Sequence, residues 1–260
     1  MTHGSALVLN APRELAFEPI EDCALAPDEV RVRTLLSGIS AGTELTQYRG
    51  TSPFLDKRFD ETRRLFVADE GPSWPYPVRT LGYEEVGEIV EIGAGVRDVA
   101  LGDRVFGTWN HRTHAVIPAD YARDRAMPGD ADPRIGIFSH IGAVALNGVH
   151  DAQLRIGDTV AVFGLGVPGQ IAAQAARASG ATVIGVDPDP DRRAKAKSLG
   201  ANHLLDPAAV PIAETVKELT GGRGADACIE VSGAPAALAD AIRSVAYSAR
   251  VVAMGFFQGE

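Results

Sequence analysis

The chain has 260 residues, with 34 acidic against 25 basic side chains and a net charge of −9. It is long enough for two domains, and its charge excludes nucleic acid as a partner. Two cysteines cannot build a disulfide framework or a cysteine zinc cluster. No apolar run reaches the ~18 residues that span a bilayer, and MTHGSALVLNAPRE carries no long apolar h-region, so a cytoplasmic protein without a membrane partner is expected.

The first part of the chain reads as short strands separated by turns. Ala6 to Leu9 is one strand, and Glu29 to Leu36 is another, with Val30, Val32 and Thr34 on one face and charge on the other, the pattern of half-buried antiparallel sheet. SGISAGTELTQYRG, 37–50, is a small-residue loop followed by a short helical stretch, and such a loop can bring backbone close to a ligand. FLDKRFDETRRLFV, 54–67, intersperses aromatic residues with charge and predicts a helix. WPYP, 74–77, is held extended by its prolines. LGYEEVGEIVEIGAGV, 81–96, gives a glycine-marked turn and then strand alternation, 102–106 a turn into another strand, and 116–121 one more.

From Ile135 the texture changes. Residues 138–154 are apolar at helical spacing, which places a domain boundary near residue 150. Thr159 to Phe163 is a β-branched run without polar alternation, as in a strand buried on both faces of a parallel sheet. Gly164, Gly166 and Gly169 then fit G-x-G-x-x-G: the first permits a tight turn, the second lets backbone approach a pyrophosphate, and the third lets helix pack on strand. Leu165, Val167 and Pro168 complete the turn, and the helix start would face phosphate with free N–H groups. The next strand, 182–186, ends in Asp187, a carboxylate placed to hold the ribose hydroxyls of NAD and to repel the 2′-phosphate of NADP. Arg192 and Arg193 are the counterweight, since either could neutralise that phosphate or stand as solvated charge. Further helices at 191–199, 212–219 and 236–247 alternate with strands at 203–205, 227–231 and 250–254, giving a doubly wound α/β parallel sheet with Cys228 in a core strand. The sequence closes at GFFQGE, just past the fifth strand, one short of a six-stranded dinucleotide fold.

With these segments placed, the chain resembles the medium-chain dehydrogenase/reductase superfamily, the alcohol dehydrogenase kind. DEVRVRTLLSGIS is similar to its first-domain strand and active-site loop, LGYEEVGEIVEIGAGV to its GHE-x-x-G-x-V-x-x-V-G segment, and GRGADACIEVSGAPAAL to the strand and loop beside the nicotinamide. The resemblance implies a GroES-like β-rich substrate domain over 1–150, a Rossmann dinucleotide-binding domain over 151–260 lacking its last strand, and a cleft between them. It also implies that Val231 and Gly233 contact the cofactor.

The departures bear on chemistry. The family's catalytic zinc is held by a cysteine in G-I-C, the histidine of G-H-E, and a third ligand near the linking helix. Here these places read Gly38-Ile39-Ser40, Gly82-Tyr83-Glu84, and Ser139 beside His140. Serine and tyrosine are poor zinc ligands, so no metal is expected, with His140, Glu84 and Glu44 as the set from which a site could be improvised. S-G-I-S-x-G-T-E is similar to the loop of a zinc-lacking branch, the bacteriochlorophyllide hydroxyethyl dehydrogenases, which implies a secondary alcohol on a larger metabolite as substrate. Side-chain donors must then stabilise the developing alkoxide. Tyr83 and Thr43 are the candidates, with Glu84 and His140 as further catalytic candidates; Tyr83 could equally fill a cleft wall and Thr43 bond backbone. Trp109 and His111 could line the substrate pocket or form a surface turn.

The expected activity is NAD-dependent, zinc-independent hydride transfer between a secondary alcohol or ketone and nicotinamide. An enoyl or quinone reductase of the same fold is one alternative and a dinucleotide-binding protein without turnover another. The partners expected are a small-molecule substrate and, as a homo-oligomer, further copies of the chain.

Overall fold

The computed structural model describes residues 4–21, 23–67 and 71–257, so the last three residues of GFFQGE lie outside them. The chain divides into two compact units, Met1–His140 and Ile141–Glu260.

In the first unit β1 (Gly4–Ala11) and β2 (Glu14–Ile20) form an antiparallel hairpin. β3 (Glu29–Ser37) leads through the small-residue loop into α1 (Thr43–Arg49). After β4 (Arg58–Asp60) and β5 (Leu65–Val67) come β6 (Glu85–Ile92), β7 (Arg104–Gly107) and β8 (His114–Pro118), then the short helices α2 (Ala119–Arg123) and α3 (Pro133–Gly136). The main sheet is antiparallel in the order β7-β6-β3-β8. Its alternation is the expected one: Val30 and Val32 point into a core with Ile89, Val105, Trp109 and Ile117, and Thr34 faces the same way, its hydroxyl accepting the Trp109 indole N–H at 2.9 Å.

The helix expected over 54–67 is not formed. Only Pro53–Leu55 turns, as a single 3-10 stretch, and the rest is the β4–β5 hairpin. Phe59 and Phe66 are seven residues apart, two turns of a helix, but they are equally opposite positions across a four-residue turn, where their rings meet edge-on at 5.1 Å. The Asp60 carboxylate accepts the N–H groups of Thr62 and Arg63, an Asx arrangement that favours the turn. Phe54 stacks on Trp74 at 3.9 Å and meets Phe66 at 4.8 Å, so tertiary aromatic packing overrides the helical pattern.

The second unit is a doubly wound α/β layer structure. α4 (Ser139–Asp151), whose first two residues belong to the first unit, leads to β9 (Thr159–Phe163), α5 (Val167–Ala178), β10 (Thr182–Val186), α6 (Pro190–Ser198), β11 (His203–Leu205), α7 (Ile212–Leu219), β12 (Ala225–Glu230), α8 (Pro235–Ser244) and β13 (Val245–Ala253). All five strands are parallel, in the order β11-β10-β9-β12-β13. The central strand is dry: Val160, Ala161, Val162 and Phe163 are fully buried, and burying each large apolar side chain contributes ~1.5–3 kcal/mol. α5 lays the small residues Ala172, Ala173 and Ala176 on that sheet, which lets helix and strand come close. Cys228 is buried in β12 as expected, and burial pushes its thiol up to about 12. The last helix stops at Ser244, short of the expected Tyr247, because β-branched Val245 turns extended and begins β13. Among the described residues no helix is long and apolar enough to cross a membrane.

Candidate active site

The first unit gathers a polar cluster where β3 ends and β6 begins. Gly38 gives its N–H to the Glu84 carbonyl at 2.7 Å, tying the loop to the Gly82-Tyr83-Glu84 turn. A Cβ on Gly38 would lie 2.7 Å from Glu84 Oε2, so glycine leaves room for that carboxylate. Gly82, at φ +98, is needed twice over, since a side chain there would also strike the His111 backbone nitrogen at 2.7 Å.

Tyr83 is half-buried, and its hydroxyl meets those of Ser40 and Thr43. Burial raises the phenol's pKa, the Ser40 and Thr43 hydroxyls pull it back, and Glu84 and Glu44 raise it again; the outcome is upward, so Tyr83 is a neutral donor. Glu84 is 8% exposed, and burial together with the charges of Glu44 and Glu85 lifts its carboxyl from 4.5 to about 7. Thr43 opens α1, and its N–H reaches the Ser40 hydroxyl at 3.3 Å. The Tyr83 ring meets the His140 ring edge-on at 5.1 Å. Tyr83, Thr43, Glu84 and His140 therefore lie near one another, and Ser40 lies beside Tyr83 and Thr43.

His111 is the residue whose place sequence reasoning left open. Its Nε2 is 2.6 Å from Glu44 Oε1 and its Nδ1 is 2.5 Å from the Ser37 hydroxyl, which donates to Glu85 Oε1 at 3.1 Å. Glu44 Oε2 also accepts the Ser40 N–H at 2.6 Å, and Glu85 Oε2 the Trp109 N–H at 2.9 Å. Burial alone would lower the imidazole, but the hydrogen bond and charge of Glu44, with Glu85 and Glu84 beyond, prevail and raise it. A buried Glu44–His111 pair thus anchors the loop that carries Ser40. No sequence signal marks this, because Glu44 and His111 are brought together across 67 positions.

The donor set does not suit zinc. The places where the resemblance puts thiolate and imidazole hold the Ser40 and Tyr83 hydroxyls, which are poor zinc ligands, and of the nearby carboxylates Glu44 is already paired with His111. Among the described residues no group of three or more His, Cys, Asp or Glu side chains is arranged to hold a metal ion.

In the second unit the glycine turn joins β9 to α5. A Cβ on Gly169 would collide with the Gly164 carbonyl oxygen, and one on Gly164, at φ +91, would lie 2.8 Å from Ser232 Cβ. Gly166 is different: its φ is −67, and a Cβ there would meet nothing within 4 Å. Neither backbone nor packing asks for glycine at that place, and the space beside the helix start is open. Val167 is half-exposed at that helix start and Pro168, next to it, has no N–H to offer. Leu165 is buried, and its N–H is spent on Asp187 Oδ2 at 2.7 Å. Asp187 is 2% exposed, and its Oδ1 accepts the Asp189 N–H at 2.8 Å. Both oxygens thus already accept a backbone N–H.

Arg192 is exposed, with Nη1 3.7 Å from Asp187 Oδ2. Arg193 is committed elsewhere, to the Asp187 carbonyl at 2.6 Å and to Asp206 at 2.9 Å. Val231 gives its N–H to Phe163 at the end of β9, and Gly233, at φ +72, turns the loop after β12. Glu230, fully buried and overlooked in the sequence, holds that loop: its Oε1 accepts the N–H groups of Ser232 at 2.8 Å and Gly233 at 3.1 Å and the Ser232 hydroxyl. β9 and β12 are neighbours whose connections run in opposite directions along the sheet, so Gly164–Gly169 and Val231–Gly233 share the carboxyl end of the switch point where α/β sheets bind ligands.

A family profile described as "Zinc-binding dehydrogenase" matches residues 166–260, and one described as "Alcohol dehydrogenase GroES-like domain" matches residues 26–116. D-guloside 3-dehydrogenase of Shigella flexneri is 37% identical over 255 residues, 96% of this chain and 73% of that protein. (R,R)-butanediol dehydrogenase of Bacillus subtilis (strain 168) is 30% identical over 275 residues, 95% of this chain and 75% of that protein. The crystal structure of 2R,3R-butanediol dehydrogenase from Bacillus subtilis is similar with a TM-score of 0.79 at 26% identity, covering 99% of this chain and 78% of that one.

Proposed function

The chain belongs to the medium-chain dehydrogenase/reductase superfamily, the alcohol dehydrogenase kind, and from that premise we propose that it is an NAD-dependent, zinc-independent oxidoreductase acting on a secondary alcohol or ketone of a larger metabolite. What carries the proposal is the meeting of three hydroxyls, Ser40, Thr43 and Tyr83, where the family's metal chemistry is otherwise seated. The glycine turn, with open space at Gly166 and a carboxylate at Asp187, supports NAD over NADP. Nicotinamide, when bound, supplies the carbon that takes or gives hydride.

The chain's own residues supply the rest. Tyr83, kept neutral by burial, donates a hydrogen bond to the substrate oxygen as charge develops there. Ser40 and Thr43 orient that phenol. Glu84, which titrates near neutrality, holds or releases the proton that leaves or returns to the substrate hydroxyl. The Glu44–His111 pair fixes the Ser40 loop, and the His111 charge pulls down the Glu84 and Glu85 carboxyls against the rise that burial imposes on them.

Fluorescence titration with NADH and NADPH, metal analysis of protein purified without chelator, and turnover on a panel of secondary alcohols test this together. The expected outcome is tighter NADH binding, zinc below stoichiometry and turnover that survives chelation. NADPH preference, or stoichiometric zinc whose removal abolishes turnover, would overturn it.

A further inference from the structure

A cavity of about 210 Å³ lies within the first unit, lined by Phe106, Thr108, Tyr121, Arg125, Ser139 and His140. We propose that it is an anion subsite, and that the substrate is an acidic secondary alcohol whose carboxylate pairs with Arg125 while its reacting hydroxyl is presented to Tyr83. This presupposes hydride transfer at Tyr83 and adds the substrate's charge class to it.

Arg125 is a half-buried cation on a rigid seat. Its guanidinium carbon lies 3.7 Å from the centre of the Tyr121 ring, a stacking that desolvates one face and leaves the planar edge available. Tyr121 is itself locked: its hydroxyl accepts the Thr108 N–H at 2.9 Å, and Gly107 is glycine because a Cβ there would lie 2.8 Å from that hydroxyl. The backbone under Arg125 is held as well, its carbonyl accepting the Phe106 N–H at 3.1 Å. Among the described residues the side chain's hydrogen-bond acceptor is the Tyr121 carbonyl, at 3.5 Å, and no carboxylate lies within ion-pair distance of it. A guanidinium stacked, lining a cavity and without a counter-ion among the described residues is a place for a bidentate anion. The hydroxyls of Ser139 and Thr108 and the imidazole of His140 add polar groups to the wall.

The cavity wall touches Tyr83. The Thr108 hydroxyl donates to the Tyr83 carbonyl at 3.2 Å, and His140, which lines the cavity, meets the Tyr83 ring at 5.1 Å. Electrostatics then sets the direction of binding. Glu84 and Glu44 act on Tyr83, with Glu85 beyond Glu84, so a carboxylate is disfavoured there and attracted at Arg125, leaving the substrate hydroxyl to face Tyr83. In a chain with net charge −9, an acidic substrate needs such a dedicated cation.

Calorimetric binding of aldonates and of the matching neutral alditols to the NADH-loaded protein tests the subsite. The expected result is roughly tenfold or tighter binding of the aldonate, with the preference removed in Arg125→Met and partly kept in Arg125→Lys. Equal binding of the two classes by the wild-type protein, binding of neither, or a preference that persists in Arg125→Met would overturn it; the wild-type comparison stands whether or not the variants fold. Turnover on the same panel reports separately on function. Aldonate preference without turnover would strike hydride transfer and leave the anion subsite, whereas turnover of alditols without aldonate preference would do the reverse.

Discussion

Replacing Glu84 by glutamine removes an ionisation while keeping the side chain's size. The wild-type carboxyl is raised from 4.5 to about 7 by burial and by the neighbouring Glu44 and Glu85. The unfolded chain therefore releases this proton first as pH rises, and the folded state loses stability from pH 4.5 until its own carboxyl ionises near pH 7, after which the loss is constant. Each pH unit of that interval is worth ~1.4 kcal/mol, so the whole interval of 4.5 to about 7 costs ~3 kcal/mol. Glu84→Gln escapes this cost. Guanidinium unfolding of both proteins from about pH 5 to about pH 8 should show the variant gaining ~2–3 kcal/mol relative to wild type across the series. The same substitution should erase the limb of the kcat/KM profile near neutrality. Stability curves that run parallel across this pH range would refute the burial-driven shift, and an unchanged kcat/KM limb would remove Glu84 from proton transfer.

Tyr83→Phe should lower turnover by at least ~10-fold with NADH affinity intact by fluorescence titration; unchanged turnover would remove the phenol from the mechanism. His111→Gln breaks the buried pair with Glu44. Because the imidazole is raised in the fold, its stabilisation is full below ~6.5 and fades as pH climbs through the folded value, so the melting-temperature deficit of the variant should be larger at about pH 6 than at about pH 9. Gly166→Ala and Gly169→Ala form a discriminating pair. The first has open space and should fold normally yet bind NADH roughly tenfold or more weakly, whereas the second drives a methyl into the Gly164 carbonyl and should show a lowered melting temperature even without ligand. Normal NADH binding by Gly166→Ala would deny the turn its role.

The second unit was legible from sequence because its signals are local. A dry β-branched strand, three glycines at fixed spacing and an acid at the end of the next strand all lie within residues 159–187, and backbone sterics alone relate them. Alternating strands and helices then left little freedom in topology. The first unit was legible only where alternation was strong, as in β3 and β6. Residues 54–67 show the limit: the spacing of Phe59 and Phe66 suits a helix and a hairpin alike, and Phe54 and Trp74 decided between them from outside the segment. Sequence also marked Ser40, Thr43, Tyr83 and Glu84 as chemically unusual by their place in recognisable motifs.

What sequence alone determined about this protein is its two-part architecture, the glycine turn with its terminal carboxylate, and the oxygen-bearing side chains in the active-site loop. What only tertiary structure decided is their electrostatic state. Glu84 titrates near neutrality and His111 is raised because burial acts together with charges from α1 and the start of β6, and Arg125 stacks on Tyr121 with no carboxylate partner among the described residues. Desolvation and Coulomb energies depend on distances through space, and spacing along the chain does not encode them.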